Sequence, residues 1–387
     1  MSTISVRPVQ GRRDLDRFIK LPFRLRRGDP LWIPPLIVER RRFLDRRRNP
    51  YFEHADAEYF LCERDGELAG RITAQVDRRW DEFQGGSDGM FGFFEADDDP
   101  DVARALVDAA AGWVGERGRD RLLGPMDFTT NDECGLLIEG FDRPPMILQP
   151  WHPPHYQRLL EGLGMRKVID LLMWELHLGK LRQGDRFHDF IHHAAERCHC
   201  EHGLTLRAMR KRDLANEVAS FMGIYNEAWG DNWGFVPITE AELRYQAGVL
   251  RPLLSEDWAM VAERDGEAIG AALSLPDINR VLAKMNGRLL PFGWLRFAIA
   301  AVSRRPWRRS IDRIRVFALG VRPEWQHTGA AAAMYVRHVD TARRVRQKWG
   351  EMGWILETNE AMNRAMEGMG GEIVKRYRLY ELPVGKA

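Results

Sequence analysis

The chain has 387 residues, 44% of them hydrophobic and 29% charged, with a formal net charge of +2. This is the composition of a globular protein long enough for two domains, and the near-neutral charge argues against a dedicated nucleic-acid partner. Four cysteines (Cys62, Cys134, Cys198 and Cys200) make no disulfide framework in so long a chain, and no apolar run follows Met1, so the cytoplasm is expected and a signal peptide is not.

Up to about Asn49 the chain reads as helices and loops, broken by Asp29-Pro30 and Pro34-Pro35. Arg40 to Arg42 and Arg46 to Arg48 flank Phe43 and Leu44, as on the solvated face of a helix, with a phosphate-binding patch as the competing reading. Tyr59 to Val76 then read as a hairpin around Glu63-Arg-Asp-Gly-Glu67, because an Asp-Gly pair between β-rich runs suits a primed turn. A strand is expected at Gly89 to Glu95, a helix at Pro100 to Arg117 and a short strand at Leu122-Leu123. A long Gly-, Pro- and Asn-rich insertion from Pro125 to Pro154 leads to a helix at His155 to Leu163 and a strand at Val168 to Leu176.

The order then repeats. His192, His193, Cys198, His199, Cys200 and His202 crowd the segment between the copies, but their spacing fits no common structural zinc pattern. A connecting helix is expected there and no metal. Helical segments from Leu214 to Leu254 precede a second hairpin, Trp258 to Leu275, around an identical Glu263-Arg-Asp-Gly-Glu267. A strand at Ile311 to Val321, a helix from Ala330 to about Gln347, a strand at Trp354 to Glu357, a helix at Met362 to Met369 and a strand at Ile373 to Leu382 complete the copy. Glu161-Gly-Leu-Gly164 also returns as Glu367-Gly-Met-Gly370. One α/β unit is used twice, each a mixed, mostly antiparallel sheet flanked by helices. The expected division is 1–180, a linker helix at 181–204, and 205–387.

The sharpest motif follows Val321: Val-Arg-Pro-Glu-Trp-Gln326-His327-Thr328-Gly329-Ala330-Ala331. A strand that turns through such a loop into a helix gathers unpaired N–H groups and partial positive charge, which suits a diphosphate. The motif resembles the acyl-CoA loop of the GNAT acyltransferase superfamily, Gln/Arg-x-x-Gly-x-Gly/Ala, and the order of elements around it is similar too. The first copy reads Ala-Asp-Asp-Asp-Pro-Asp101 at that place, and its carboxylates would repel a diphosphate. The first domain is therefore expected to be a degenerate GNAT-like shell.

The GNAT resemblance implies that the amine attacks the thioester directly while backbone N–H groups near Leu319 to Val321 polarise its carbonyl. It also places the family's usual acid, a tyrosine, at Met366, which has no hydroxyl. Glu357, Asn359, Asn363, Tyr377 and Tyr380 are the remaining candidates for proton handling. Candidates for the acceptor side are Tyr225, Trp229 and Trp233 in the second copy, and Asn131 and Asp132 in the insertion of the first; core packing and turn formation are the competing readings. The insertion Asn279 to Ser310, with Trp294, Phe297 and a basic end, has the composition of a lipid groove or membrane-interface segment, or of a core-packed helix with a basic tail.

Over nearly its full length the chain resembles a bacterial family of tandem GNAT-like proteins that includes the bacterial ceramide synthases. The shared segments are Trp32-Ile-Pro-Pro-Leu36, Thr130-Asn-Asp132, Asn232-Trp-Gly-Phe-Val-Pro237 and Tyr377-Arg-Leu-Tyr-Glu381. The resemblance implies N-acylation of a long-chain or sphingoid-like lipid amine by acyl-CoA, and the composition of 279–310 adds the expectation of peripheral membrane contact. The alternatives are a soluble acetyltransferase acting on a small amine or protein, and a non-catalytic binding protein for acyl-CoA or lipid.

Overall fold

The computed structural model describes residues 3–177, 186–289, 293, 313–345 and 349–385. They form two compact units: Met1–Leu171 with Val281–Arg296 and Lys375–Ala387, and Leu172–Arg280 with Phe297–Val374. The consecutive division expected from the sequence puts the last strand in the second domain, whereas from Lys375 onward it belongs to unit 1.

Unit 1 carries β1 (Ile4–Pro8), α1 (Gly11–Leu25), α2 (Ile37–Phe43), β2 (Ala55–Arg64), β3 (Glu67–Asp77), α3 (Arg78–Gln84), β4 (Asp88–Ala96), α4 (Pro100–Gly115), β5 (Arg121–Gly124), β6 (Leu136–Glu139), α5 (His155–Gly162) and the first half of β7 (Arg166–His177). Unit 2 carries α6 (Arg186–Cys200), β8 (Thr205–Ala208), α7 (Leu214–Ala228), α8 (Glu240–Leu250), β9 (Ala259–Arg264), β10 (Glu267–Pro276), β11 (Arg313–Val321), a 3-10 turn (Pro323–Thr328), α10 (Ala330–Val345), β12 (Trp349–Leu356) and α11 (Glu360–Gly368). The short α9 (Asn279–Ala283) crosses from unit 2 into unit 1, and β13 (Glu372–Pro383) does the same. The two units repeat one strand order, β1-β2-β3-β4-β5 in the first and β8-β9-β10-β11-β12 in the second.

The repeated pentapeptides make the same turn. Asp65 and Gly66 have φ of 51° and 81°, and Asp265 and Gly266 have 51° and 84°. Two successive positive φ values are what a primed two-residue turn requires. Each hairpin then takes up one extra residue, Ala69 and Ile269, just before the repeated Gly70 and Gly270. Along β1 to β5 and along β8 to β12 the pairings are antiparallel except the last, β4 with β5 and β11 with β12.

The core of unit 1 packs α4, through Val102, Leu106, Ala110 and Val114, and α5, through Tyr156, Leu159 and Leu160, onto the sheet residues Phe60, Ile72 and Phe91. In unit 2, Ala330 and Met334 of α10 and Cys198 of α6 cover Met260, Ala262, Ile269 and Ala272. A second cluster joins Leu172, Trp174, Met352, Ile355, Met366 and Met369. Among the described residues no helix is long and apolar enough to cross a membrane.

Candidate active site

The site of unit 2 begins with a defect in β11. Its register against β10 runs Gly270↔Val321 to Leu273↔Ala318 and resumes at Ser274↔Val316, so Phe317 is an extra, bulged residue. Pairing with β12 ends at Val316↔Met352. From Phe317 to Val321 the strand therefore has β10 alone as its strand partner among the described residues. Bulges bend a strand and re-aim its groups, and they recur next to active sites. Since N–H and C=O must be satisfied, the parted edge is a place for a hydrogen-bonding ligand.

Unit 1 has the same bulge and the same parting, but it is stitched shut. Between Arg71↔Glu95 and Thr73↔Gly92 the strand β4 gains a residue, and Phe93 takes φ of 49°. Its pairing with β5 stops at Met90↔Leu123. Beyond that point Met126 N–H donates to Phe91 O at 2.8 Å, Phe93 N–H to Asp127 Oδ1 at 2.8 Å, and Ala96 N–H to Tyr156 Oη at 2.8 Å. The Tyr156 hydroxyl donates in turn to Glu95 Oε2 at 2.8 Å, and Glu95 is paired with Arg26 at 2.6 Å. Burial drives the Glu95 carboxyl up, but the Arg26 and Arg71 guanidiniums overcome this and leave it below its ordinary value. The phenol of Tyr156, in the same buried cluster, is driven well up by desolvation. The N-terminus of α4 is likewise closed, because Asp99 caps it by accepting from Asp101 N–H at 2.9 Å. No comparable closure is found for Phe317 to Gly320 among the described residues.

The loop after β11 is ordered by its own contacts. Gln326 Nε2 donates to Val321 O at 3.3 Å, and Thr328 Oγ1 donates to Trp325 O at 2.6 Å. Gln326 and His327 are exposed, whereas Thr328 and Ala330 are buried and Ala331 is half-buried. Gly329 has φ of 83°, and a Cβ there would run into the carbonyl oxygen of Ala194 on α6. Close approach at this glycine is thus made by a helix of the protein itself. Leu319 is half-buried on β11, and Val321 is buried beneath α10.

On one face of β11 sits an aromatic group. Tyr225 and Trp229 of α7 lie 4.7 Å apart by ring centroid, and Tyr225 lies 5.6 Å from Phe235. A Cβ at Gly320 would overlap Cζ3 and Cη2 of Trp229, so the indole rests directly on the strand backbone. Asn226 pins the following loop, accepting from Ile238 N–H at 3.1 Å, and Trp233 is half-buried within that loop. Of the aromatics singled out in the sequence, Trp229, with Tyr225 packed against it, is therefore brought to the bulged strand. The glycine that admits one of them was missed, because a lone Gly in an apolar strand carries no signal of what lies above it.

The proton-handling candidates separate. Asn359 caps α11 by accepting from Met362 N–H at 3.1 Å. Asn363 accepts from Trp174 Nε1 at 2.9 Å and donates to Leu356 O at 3.0 Å. Both amides are committed to holding the β12–α11 junction, and half-buried Glu357 lies within it. Met366 is fully buried in the cluster around Trp174. Tyr380 lies in the core of unit 1, where its hydroxyl donates to Glu161 Oε1 at 3.0 Å, and Tyr377 donates to Pro150 O at 3.3 Å. Asn131 and Asp132 are also in unit 1, in a turn where Asn131 N–H donates to Thr129 Oγ1 at 3.0 Å and Asp132 Oδ2 accepts from Thr129 Oγ1 at 3.3 Å. Trp294 and Phe297 lie outside the described residues.

The chain is 36% identical over 383 residues to protein YghO of Escherichia coli, covering 97% of this chain and 94% of that protein. It is 36% identical over 388 residues to the bacterial ceramide synthase of Caulobacter vibrioides, covering 98% and 97%. Among solved structures, the tandem GNAT protein from the clavulanic acid biosynthesis pathway superposes with a TM-score of 0.58 at 11% identity, covering 100% of both chains. A GCN5-related N-acetyltransferase from Sphaerobacter thermophilus gives 0.52 at 14% identity, covering 98% of this chain and 96% of that one. No protein-family model matches. The chain belongs to the family of tandem GNAT-like acyltransferases that includes the bacterial ceramide synthase.

Proposed function

We propose that unit 2 transfers a long-chain acyl group from acyl-CoA to a long-chain, sphingoid-like amine. The observation that carries this reading is the parted edge of β11 from Phe317 to Gly320, beside an aromatic group and leading into a helix-opening loop. Along a strand, alternate residues turn their backbone groups to the same side, so N–H groups of this edge are available to the thioester carbonyl oxygen. Preorganised donors of this kind stabilise the negative charge that develops there and need no reorganisation during the reaction. The amine nitrogen forms the amide bond, the carbon–sulfur bond breaks, and CoA leaves as its thiol with the proton the amine gives up.

In this reading the 3-10 turn that carries the exposed Gln326 and His327, together with the start of α10, holds the diphosphate at its N–H groups. The fit is partial at Gly329, where α6 lies against the loop, so the diphosphate is held on the Gln326–His327 side. Glu357, half-buried at the β12–α11 junction, is the candidate for removing the amine proton, and its carboxylate is the group there with the chemistry of a general base. Tyr225, Trp229 and Trp233 form the apolar wall against which the acceptor chain lies. Long-chain substrates are supported by the name of the Caulobacter relative and by the apolar, basic composition of 279–310, which also supports peripheral membrane contact.

The test is turnover of purified full-length protein with palmitoyl-CoA and with acetyl-CoA, each with a long-chain amine, followed by release of free thiol and the mass of the amide. Preference for palmitoyl-CoA supports the proposal, and strict preference for acetyl-CoA overturns it.

A further inference from the structure

Unit 1 has a cleft that the chemistry of unit 2 does not use. Its volume is about 550 Å³, within the usual range for small-molecule sites, and it is bounded by the end of α1, the Trp32–Ile37 segment and the turn at 283–288. The turn comes from far along the chain and is firmly seated. Asn286 and Gly287 have φ of 45° and 71°, Gly287 O accepts from Ile37 N–H at 3.0 Å, and a Cβ on Gly287 would meet the Phe23 ring at 2.5 Å.

The polar side of the cleft is cationic and unbalanced. Arg26 lines it at 5% exposure, and although one end of its guanidinium holds Glu95 and Tyr156, its buried Nε–H has no acceptor. Arg27 and Arg288 also line the cleft, are exposed, and have no carboxylate partner among the described residues. The one carboxylate in the lining, Asp29, is already used: Oδ1 accepts from Leu31 and Trp32 N–H, and Oδ2 accepts from Trp151 Nε1 at 2.8 Å. The opposite side is apolar, with Phe23 and Trp32 edge to face at 5.2 Å above Pro34 and Ile37.

We infer that this cleft binds a phosphate ester carried on an apolar or aromatic body. The phosphate oxygens accept from Arg27 and Arg288, for which guanidinium forks are well matched, with the Arg26 charge behind them, and the body lies on Trp32 and Phe23. A phospholipid headgroup and a nucleoside phosphate share this chemistry.

Calorimetric titration of the full-length protein distinguishes the two sources. The probes are dihexanoyl phosphatidic acid below its micelle concentration, adenosine 3′,5′-bisphosphate, and dihexanoyl phosphatidylcholine as the zwitterionic control. At least one phosphate monoester should saturate the protein well below roughly 1 mM, more weakly as salt is raised. Arg27→Glu and Arg288→Glu should each weaken it about tenfold or more, while Arg104→Glu on α4 should not. Binding of the lipid alone identifies a headgroup site, and binding of the bisphosphate identifies a nucleotide site. If neither binds, if phosphatidylcholine binds equally well, or if Arg27→Glu and Arg288→Glu leave affinity unchanged in protein that unfolds at the wild-type temperature, the inference is wrong.

Discussion

Replacing Gly320 by alanine tests whether Trp229 rests on the bulged strand. The new Cβ would overlap two carbons of the indole and lie 3.1 Å from Ala228 Cβ, so either α7 or the strand must move. Overpacking of this kind costs about 1–3 kcal/mol. At roughly 2–4 °C per kcal/mol for a unit of this size, 2 kcal/mol lowers the melting temperature by about 4–8 °C. A displacement that removes about 1.4 kcal/mol from transition-state binding also lowers kcat/KM about tenfold. The decisive experiment is a cycle with Trp229→Ala, followed by thermal unfolding and by acyl transfer. With the indole gone the alanine has room, so Gly320→Ala should then cost less by about 1 kcal/mol or more, an interaction of the size expected for residues in contact. Equal costs in both backgrounds, within about 0.5 kcal/mol, would refute the contact.

His152 accepts from Leu137 N–H at 3.2 Å, and burial pushes its pKa down from 6.5 to about 4. Its neutral form is favoured in the fold, so stability is full above about pH 6.5 and is lost as pH falls toward 4. The loss is at most about 3 kcal/mol, and His152→Asn, which keeps an acceptor, should flatten the unfolding free energy across that window. Tyr156→Phe leaves Ala96 N–H and Glu95 short of a partner in unit 1. It should destabilise by about 1–3 kcal/mol in chemical denaturation and leave KM for acyl-CoA unchanged. Asn363→Ala removes both the Trp174 bond and the tie to Leu356. It should lower the melting temperature and kcat together, whereas Glu357→Gln should lower kcat alone and flatten the acid limb of its pH profile.

Much of the fold was legible because its signals are local. The two Asp-Gly turns, the helical spacing from Pro100 and the run of alanines at Ala330 each state their structure within a few residues. The strands β1, β6 and β8 were missed. Two of them are short and carry one arginine each, and the third lies inside a Gly- and Pro-rich insertion, where neither period nor composition marks it. The return of β13 to unit 1 is a choice of partner between similar sheets, which alternation along one strand cannot reveal. At the site, the loop from Gln326 to Ala331 was legible as a motif, but the reason for Gly329 was not, because Ala194 is distant in sequence. Asn359 and Asn363 stood at a position suited to chemistry, and nothing in the sequence signals the bonds to Met362, Leu356 and Trp174 by which they hold the β12–α11 junction. The closing of unit 1 was legible only in part: the aspartates announced it at the helix end, whereas the plug made by Tyr156 depends on Ala96 and Glu95, which meet it only in the fold.

The central claim is that the thioester sits at β11 and not at β4. A palmitoyl-CoA analogue with a photoreactive diazirine beside the carbonyl, irradiated on the full-length protein and mapped by peptide mass spectrometry, tests this directly. The account predicts label between Arg313 and Val345, suppressed by excess palmitoyl-CoA. Label confined to Asp88–Gly115 would contradict it.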